Sequence, residues 1–207
     1  MPDKTHSYHV ITDNLYLGYG IRTVLENMTG GKEACYLSLP DIRITREGVR
    51  SLVLRHKVTL TLLAVRCIRL RRLILRFLGE RQEKVLVMSP PALFRKEQEW
   101  RHVRNIVTIP MDVSANALRQ SVFSAVREEP FIPVTARERH LIDGLYRGCS
   151  DETLSQKLGC SVRNISQTRN RMMSRIGGLK GIHGFLLCRD IVSMYDREEN
   201  GADRADL

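Results

Sequence analysis

The sequence predicts an α/β domain, a parallel sheet flanked by helices, followed by an all-α domain of four helices. Three observations carry that expectation. From residue 7 to about 128, short apolar runs alternate with helix-spaced stripes, as strand–helix repeats do when they build a parallel sheet. Glu129-Pro130-Phe131-Ile132-Pro133 then breaks the pattern with a proline-stiffened join. From Val134 onward the periodicity is helical only, and its runs are punctuated by capping residues and glycines. The expected boundaries are 7–128 for the α/β domain, 129–133 for the linker, 134–195 for the helical domain and 196–207 for a solvated tail.

Within the first domain, Tyr8 to Ile11 reads as a strand ending at Thr12-Asp13-Asn14. Leu17, Ile21, Val24, Leu25 and Met28 form a helical stripe closed by Gly30-Gly31, and Ala34 to Leu39 is a second strand closed by Pro40. Val58 to Val65 reads either as a buried strand or as the front of a helix running through Leu78, because Thr59 and Thr61 favour the first while Leu70, Leu73, Ile74, Phe77 and Leu78 favour the second. The expectation is a strand at 58–65 and a helix at 68–78. Lys84 to Met88 is a strand before Ser89-Pro90-Pro91, Leu93 to His102 a helix, and Asn105 to Ile109 a last strand. Ser114 can cap a helix carrying Leu118, Val122 and Val126.

The helical domain has the clearest punctuation. Thr135 followed by Glu138 has capping-box spacing, Leu141, Ile142, Leu145 and Tyr146 form an apolar stripe, and Gly148 ends the run. Ser150 caps a second helix that turns Leu154 and Leu158 inward, and Gly159-Cys160 makes the turn. Ser161 caps a third helix that should bury Ile165, Met172 and Ile176 and contains Arg163, Arg169, Arg171 and Arg175 with no acidic residue. Three short helices joined by tight turns, the last with a basic and polar outer face, suit entry into a major groove about 12 Å wide. A solvated charged face on an ordinary bundle would show part of the same pattern. Gly177 to Gly181 reads as a flexible join, and Ile182 to Tyr195 as a fourth helix with Phe185, Leu186, Ile191 and Val192.

This stretch resembles the LuxR-type helix-turn-helix family through Thr135, Arg137, Glu138, Leu141, Gly148, Ser150, Leu154, Leu158, Ser161, Ile165 and the Arg175-Ile176-Gly177 ending. The resemblance implies that Ser166, Gln167 and Asn170 face bases, that Arg169, Arg171 and Arg175 contact the DNA backbone, and that the fourth helix helps form a dimer; the basic face of the helix adds Arg163 to the expected DNA-binding set. Ser166 stands where the family has Lys and Thr168 where it has His, so target specificity does not carry over. The preceding α/β domain is similar to the receiver domain of response regulators, and the whole resembles auxiliary regulators of the capsule-synthesis kind. Asp13 matches one acid of the receiver's metal-binding pair, whose partner is Asn14 here, and Ser89 matches the switch hydroxyl. No Asp occurs between Asp41 and Asp112, where the phosphoacceptor belongs, and Ile109 takes the place of the conserved Lys. Phosphotransfer needs a carboxylate nucleophile beside a cation held by other carboxylates, so the domain reads as a pseudo-receiver in which Asp13 caps a strand end.

Composition narrows the partners. The 207 residues carry a net charge of +10, which favours polyanions. Twelve Lys and Arg against three Glu put +9 of that charge in residues 42–84. Three readings stand for this segment: a platform for DNA or for acidic surfaces of RNA polymerase, an amphipathic basic helix on anionic lipid, or a core helix whose arginines snorkel outward. Cys35, Cys67, Cys149, Cys160 and Cys188 are scattered and odd in number, which suits a reducing compartment and no disulfide or zinc site. No apolar run is long enough to span a bilayer and the start lacks a secretory pattern, so the expectation is a cytoplasmic protein without membrane association. No phosphate loop, paired carboxylates or nucleophile–base pair is recognisable, which argues against an enzyme and against a cofactor. The expected function is a sequence-specific transcription regulator on double-stranded DNA, acting as a homodimer or with a response regulator; the alternative is a protein-binding adaptor or antagonist with weak DNA affinity.

Overall fold

A computed structural model of the chain describes residues 6–31, 34–41, 43–79, 81, 83–94, 102–103, 105–126 and 134–193. The expected linker, the tail and most of the helix expected at 93–102 lie outside these residues. Five parallel strands, β1 (Tyr8–Thr12), β2 (Cys35–Ser38), β3 (Leu60–Ala64), β4 (Lys84–Ser89) and β6 (Ile106–Pro110), plus a short antiparallel edge strand, β5 (His102–Val103), form one sheet in the order β2-β1-β3-β4-β6-β5. Strand β3 sits centrally, with Leu60 beside both Tyr8 and Lys84, and all five of its residues are buried. A strand covered on both faces reads as an unbroken apolar run, which is why its period was ambiguous in the sequence.

Helices cover both faces. Helices α1 (Leu15–Thr29) and α4 (Ala115–Val126) bury Ile21, Leu25, Leu118 and Val122 against Val10, Leu62, Leu86 and Val107. Helices α2 (Arg46–Leu54) and α3 (Ile68–Gly79) bury Val49, Val53, Leu70, Ile74 and Leu78 against Ile11, Leu63, Val85 and Val87. Alternate strand residues thus feed opposite layers, as the pleat requires. The α3 helix packs as one of the readings for 42–84 expected, with Arg69 and Arg76 exposed, but Arg71 departs from it and is only 2% exposed.

Two expectations for this domain need correction. Helix α2 was not read from the sequence, because Gly48 in its first turn and four Arg residues between 43 and 55 blur its stripe; Thr45 caps it, accepting from Gly48 N at 3.1 Å. The helix expected from Leu93 to His102 has neither end in place. Pro91–Leu93 is a single 3-10 turn, and His102 pairs antiparallel with Val107.

The helical half contains α5 (Ala136–Tyr146), α6 (Asp151–Leu158), α7 (Val162–Gly177) and α8 (Gly181–Ser193). Its apolar residues do not all turn inward on one another. Leu141, Leu154 and Ile165 form a small local core, whereas Ile142, Met172, Ile176, Leu187 and Ile191 join the cluster under β4, β6 and α3. The join between α7 and α8 is docked where looseness was expected: Leu179 is fully buried, pairs with Phe94 as an isolated bridge, and is followed by a Lys180 N–H that donates to Leu93 O at 2.8 Å. Gly178 makes this possible by closing α7 in the left-handed region at φ 61°.

Candidate nucleic-acid interface

Capping chemistry fixes the geometry of α5, α6 and α7. Thr135 and Glu138 form a reciprocal box in which Thr135 Oγ1 accepts from Glu138 N at 3.3 Å and Glu138 Oε2 accepts from Thr135 N at 2.9 Å. Ser150 accepts from Thr153 N and Ser161 from Asn164 N, each at 3.2 Å. Gly159, at φ 58°, ends α6 so that the chain turns within two residues into the Ser161 cap. A Cβ at Gly144 would collide with the Leu154 side chain, so glycine there lets α5 and α6 approach closely.

The resulting α7 has two faces. Ile165, Met172 and Ile176 are buried, while Arg163, Gln167, Asn170 and Arg171 recur at helical spacing on the opposite side and are exposed. The remaining expected site residues are half-buried and already engaged. Ser166 Oγ donates to Asp151 Oδ2 at 3.4 Å, and Arg169 lies 3.6 Å from Asp151 Oδ1, so the first turn of α6 braces the middle of α7. Arg175 pairs with Glu138, tying the end of α7 to the capping box of α5. Arg169 and Arg175, both expected in the DNA-binding set, thus each have an acidic partner within the fold. Asp151 was missed in the sequence, where an acid after an N-cap reads only as a complement to the helix dipole.

At the ends of the parallel strands, polar side chains close loops and cap helices. Asp13 Oδ2 accepts from the backbone N–H groups of Arg66 at 2.8 Å and Cys67 at 3.1 Å, so the carboxylate closes the β3–α3 loop as a strand-end cap. Asn14 Oδ1 caps α1 by accepting from Leu17 N at 3.0 Å. Strand β3 ends on Ala64, the buried Val65 follows it, and Ile109 is fully buried. Among the described residues, no group of three or more His, Cys, Asp or Glu could hold a metal ion, and no helix is long and apolar enough to cross a membrane.

A charged junction joins the two halves. Arg72 donates to Tyr146 Oη at 2.7 Å, and the guanidinium carbons of Arg72 and Arg189 lie 4.7 and 5.1 Å from the centre of that ring. Arg189 also donates to Asp190 Oδ1 at 2.7 Å. Burial pushes the Asp190 carboxyl above its ordinary pKa despite Arg189, Arg71 and Arg72 around it, while the Arg72 hydrogen bond lowers that of Tyr146. The α8 residues Leu187, Cys188, Ile191 and Val192 are all buried in this junction.

The described residues thus form a mainly parallel sheet flanked by helices, followed by four further helices, of which α5, α6 and α7 have capped starts. No protein-family model matches the sequence, and no curated protein matches it. Solved structures with some likeness include RcsB from Salmonella enterica serovar Typhimurium bound to a promoter, at 9% identity and TM-score 0.47 over 91% of this chain and all of that one. The response regulator ChrA of a heme-sensing two-component system aligns at 13% identity and TM-score 0.37, covering 92% of this chain and 98% of that one. Full-length FixJ from B. japonicum aligns at 14% identity and TM-score 0.38, with 92% and 98% covered.

Proposed function

We propose that the chain is a cytoplasmic, sequence-specific DNA-binding transcription regulator whose α/β domain acts without phosphorylation. The observation that carries this reading is the α7 face, where Arg163, Gln167, Asn170 and Arg171 project from a helix whose opposite side is packed and whose start is capped. A helix held this way can enter a major groove, with Gln167, Asn170 and Ser166 at base edges and Arg163, Arg169 and Arg171 at phosphates. Asp151 lies beside Ser166 and Arg169, within reach of both side chains. Phosphorylation independence is supported by the absence of Asp between Asp41 and Asp112, with β3 ending on Ala64, by the buried Ile109 standing where the resemblance puts a lysine, and by Asp13 being engaged with two backbone donors.

One such module reads only a few base pairs, so a second copy or a complete response regulator must supply the neighbouring half-site. A DNA-binding selection with the purified chain, alone and mixed with full-length response regulators, tests this. A motif recovered from the chain alone indicates a homodimer, and one recovered only from the mixture indicates an auxiliary partner. No enrichment under either condition overturns the reading.

A second reading, an adaptor or antagonist of another regulator, is favoured by one observation. The apolar face of α8, which the family resemblance would use for pairing, lies against α3 inside this chain. Regulation in cells that survives Arg163→Ala with Arg171→Ala would select the adaptor.

A further inference from the structure

A cleft of about 1100 Å³ opens between the start of α2, the first turns of α3 and the middle of α8. Six arginines line it, Arg43, Arg46, Arg69, Arg72, Arg76 and Arg189, and none of its described lining residues is acidic. Two of the six have work in the fold already, since Arg72 and Arg189 hold Tyr146 and Asp190. The other four are exposed and form no ion pair with another described residue; the Arg46 guanidinium carbon lies 6.0 Å from the centre of the Phe77 ring. Of the acids on the surrounding elements, Asp190 is held by Arg189 and Asp41 by the Arg43 backbone N–H, while the exposed Glu47 beside Arg46 does not line the cleft. Like charges gathered at one mouth repel by a few tenths of a kcal/mol per solvated pair, on the order of 0.5 at ~8 Å, and packing alone gives no reason to keep them there.

We propose that this cleft binds a small polyanion with consecutive phosphate groups, of the nucleoside polyphosphate class. Guanidinium forks match phosphate oxygens two at a time, and several around one hollow can grip a short phosphate chain from different sides. The same hollow has an apolar component in Ile44, Leu73 and Leu186, which gives a nucleobase a dry surface beside the phosphates. Its concavity separates this site from a lipid-binding face, where the charges would crown an outward surface. The site lies on α2, α3 and α8, and none of the α7 residues assigned to DNA lines it. It therefore does not depend on the DNA-binding reading.

The test is calorimetric titration of the full chain with ATP, inorganic tripolyphosphate and AMP in turn. ATP should bind at least about tenfold more tightly than AMP, as two further charge-assisted contacts imply, and more tightly than tripolyphosphate because the base adds apolar contact. Arg69→Ala with Arg76→Ala should weaken ATP at least about tenfold while leaving the unliganded melting temperature within about 2 °C, since both side chains are exposed. Arg163→Ala with Arg171→Ala should leave ATP affinity unchanged. The proposal is overturned if millimolar ATP gives no binding, if ATP and AMP bind alike, or if the α7 pair weakens ATP as much as the cleft pair. Tripolyphosphate binding as tightly as ATP overturns the nucleoside assignment. Loss of DNA binding rather than ATP binding in the cleft pair would instead make the arginines part of the DNA surface.

Discussion

Replacing arginines on α7 separates those that would grip DNA from the one that holds the fold. Arg163 and Arg171 are exposed, so Arg163→Ala with Arg171→Ala removes two phosphate contacts if both reach the duplex. Each such contact contributes about 0.9 to the slope of log affinity against log salt, so the double variant's slope should be shallower by about 1.8. Over a fourfold rise in salt the gap between parent and variant then narrows by about twelvefold. Arg175→Ala should behave differently. Its partner Glu138 has a side chain only 11% exposed, and losing a charged hydrogen bond there should lower stability by about 2 kcal/mol while the salt slope stays put. Fluorescence anisotropy on a bound duplex across a salt series gives the slopes, and urea unfolding gives the stabilities. An unchanged slope in the double variant, or a slope shallower by about 0.9 with intact stability in Arg175→Ala, would refute the division of labour.

Other predictions concern the packing beneath that surface. His9 is fully buried, and desolvation with positive His56, Arg55 and Arg81 nearby lowers its pKa from 6.5 to about 4. The folded state therefore binds fewer protons than the unfolded one, so this contribution is complete above pH 6.5 and is lost as pH falls towards 4, by about 3 kcal/mol in all. Urea midpoints of the parent and His9→Gln between pH 7 and 4 measure it; equal slopes would contradict it. Asp190→Ala leaves the buried Arg71 and the Arg189 guanidinium beside an empty site and should destabilise by roughly 3–5 kcal/mol in urea unfolding, whereas a loss below about 1 kcal/mol would show the junction to be dispensable. Cys188 is buried and burial pushes its thiol up, so native alkylation should spare it and urea should expose it; labelling before unfolding would contradict this packing.

Local rules written over a few residues were enough for much of this chain. The caps at Thr135, Ser150 and Ser161 and the left-handed turn at Gly159 are contacts between near neighbours, so their residue types announce them. The same holds for Asp13, whose place at a strand end predicted the cap it makes, whereas β3 and α3 were only half legible, because the apolar run at 58–65 fits a buried strand and a helix alike. Helix α2 failed by the same standard, because its buried apolar residues, Val49 and Val53, are too few to outvote Gly48 and the charges at Arg46, Glu47 and Arg50.

Tertiary structure decided what distant residues do to one another. Nothing in the spacing of Arg175 reveals that Glu138 will meet it, nor that Asp151 will brace Ser166 and Arg169 across the turn. The apolar face of α8 is equally legible whether it pairs with another copy or lies against α3, since periodicity fixes which residues are buried and leaves their partner open. The arginine cleft is the extreme case. Residues 43–76 advertise their charge in the sequence, but only packing beside Arg189 of α8 gathers it around one hollow, because a concavity is a property of several surfaces meeting and no single segment encodes it.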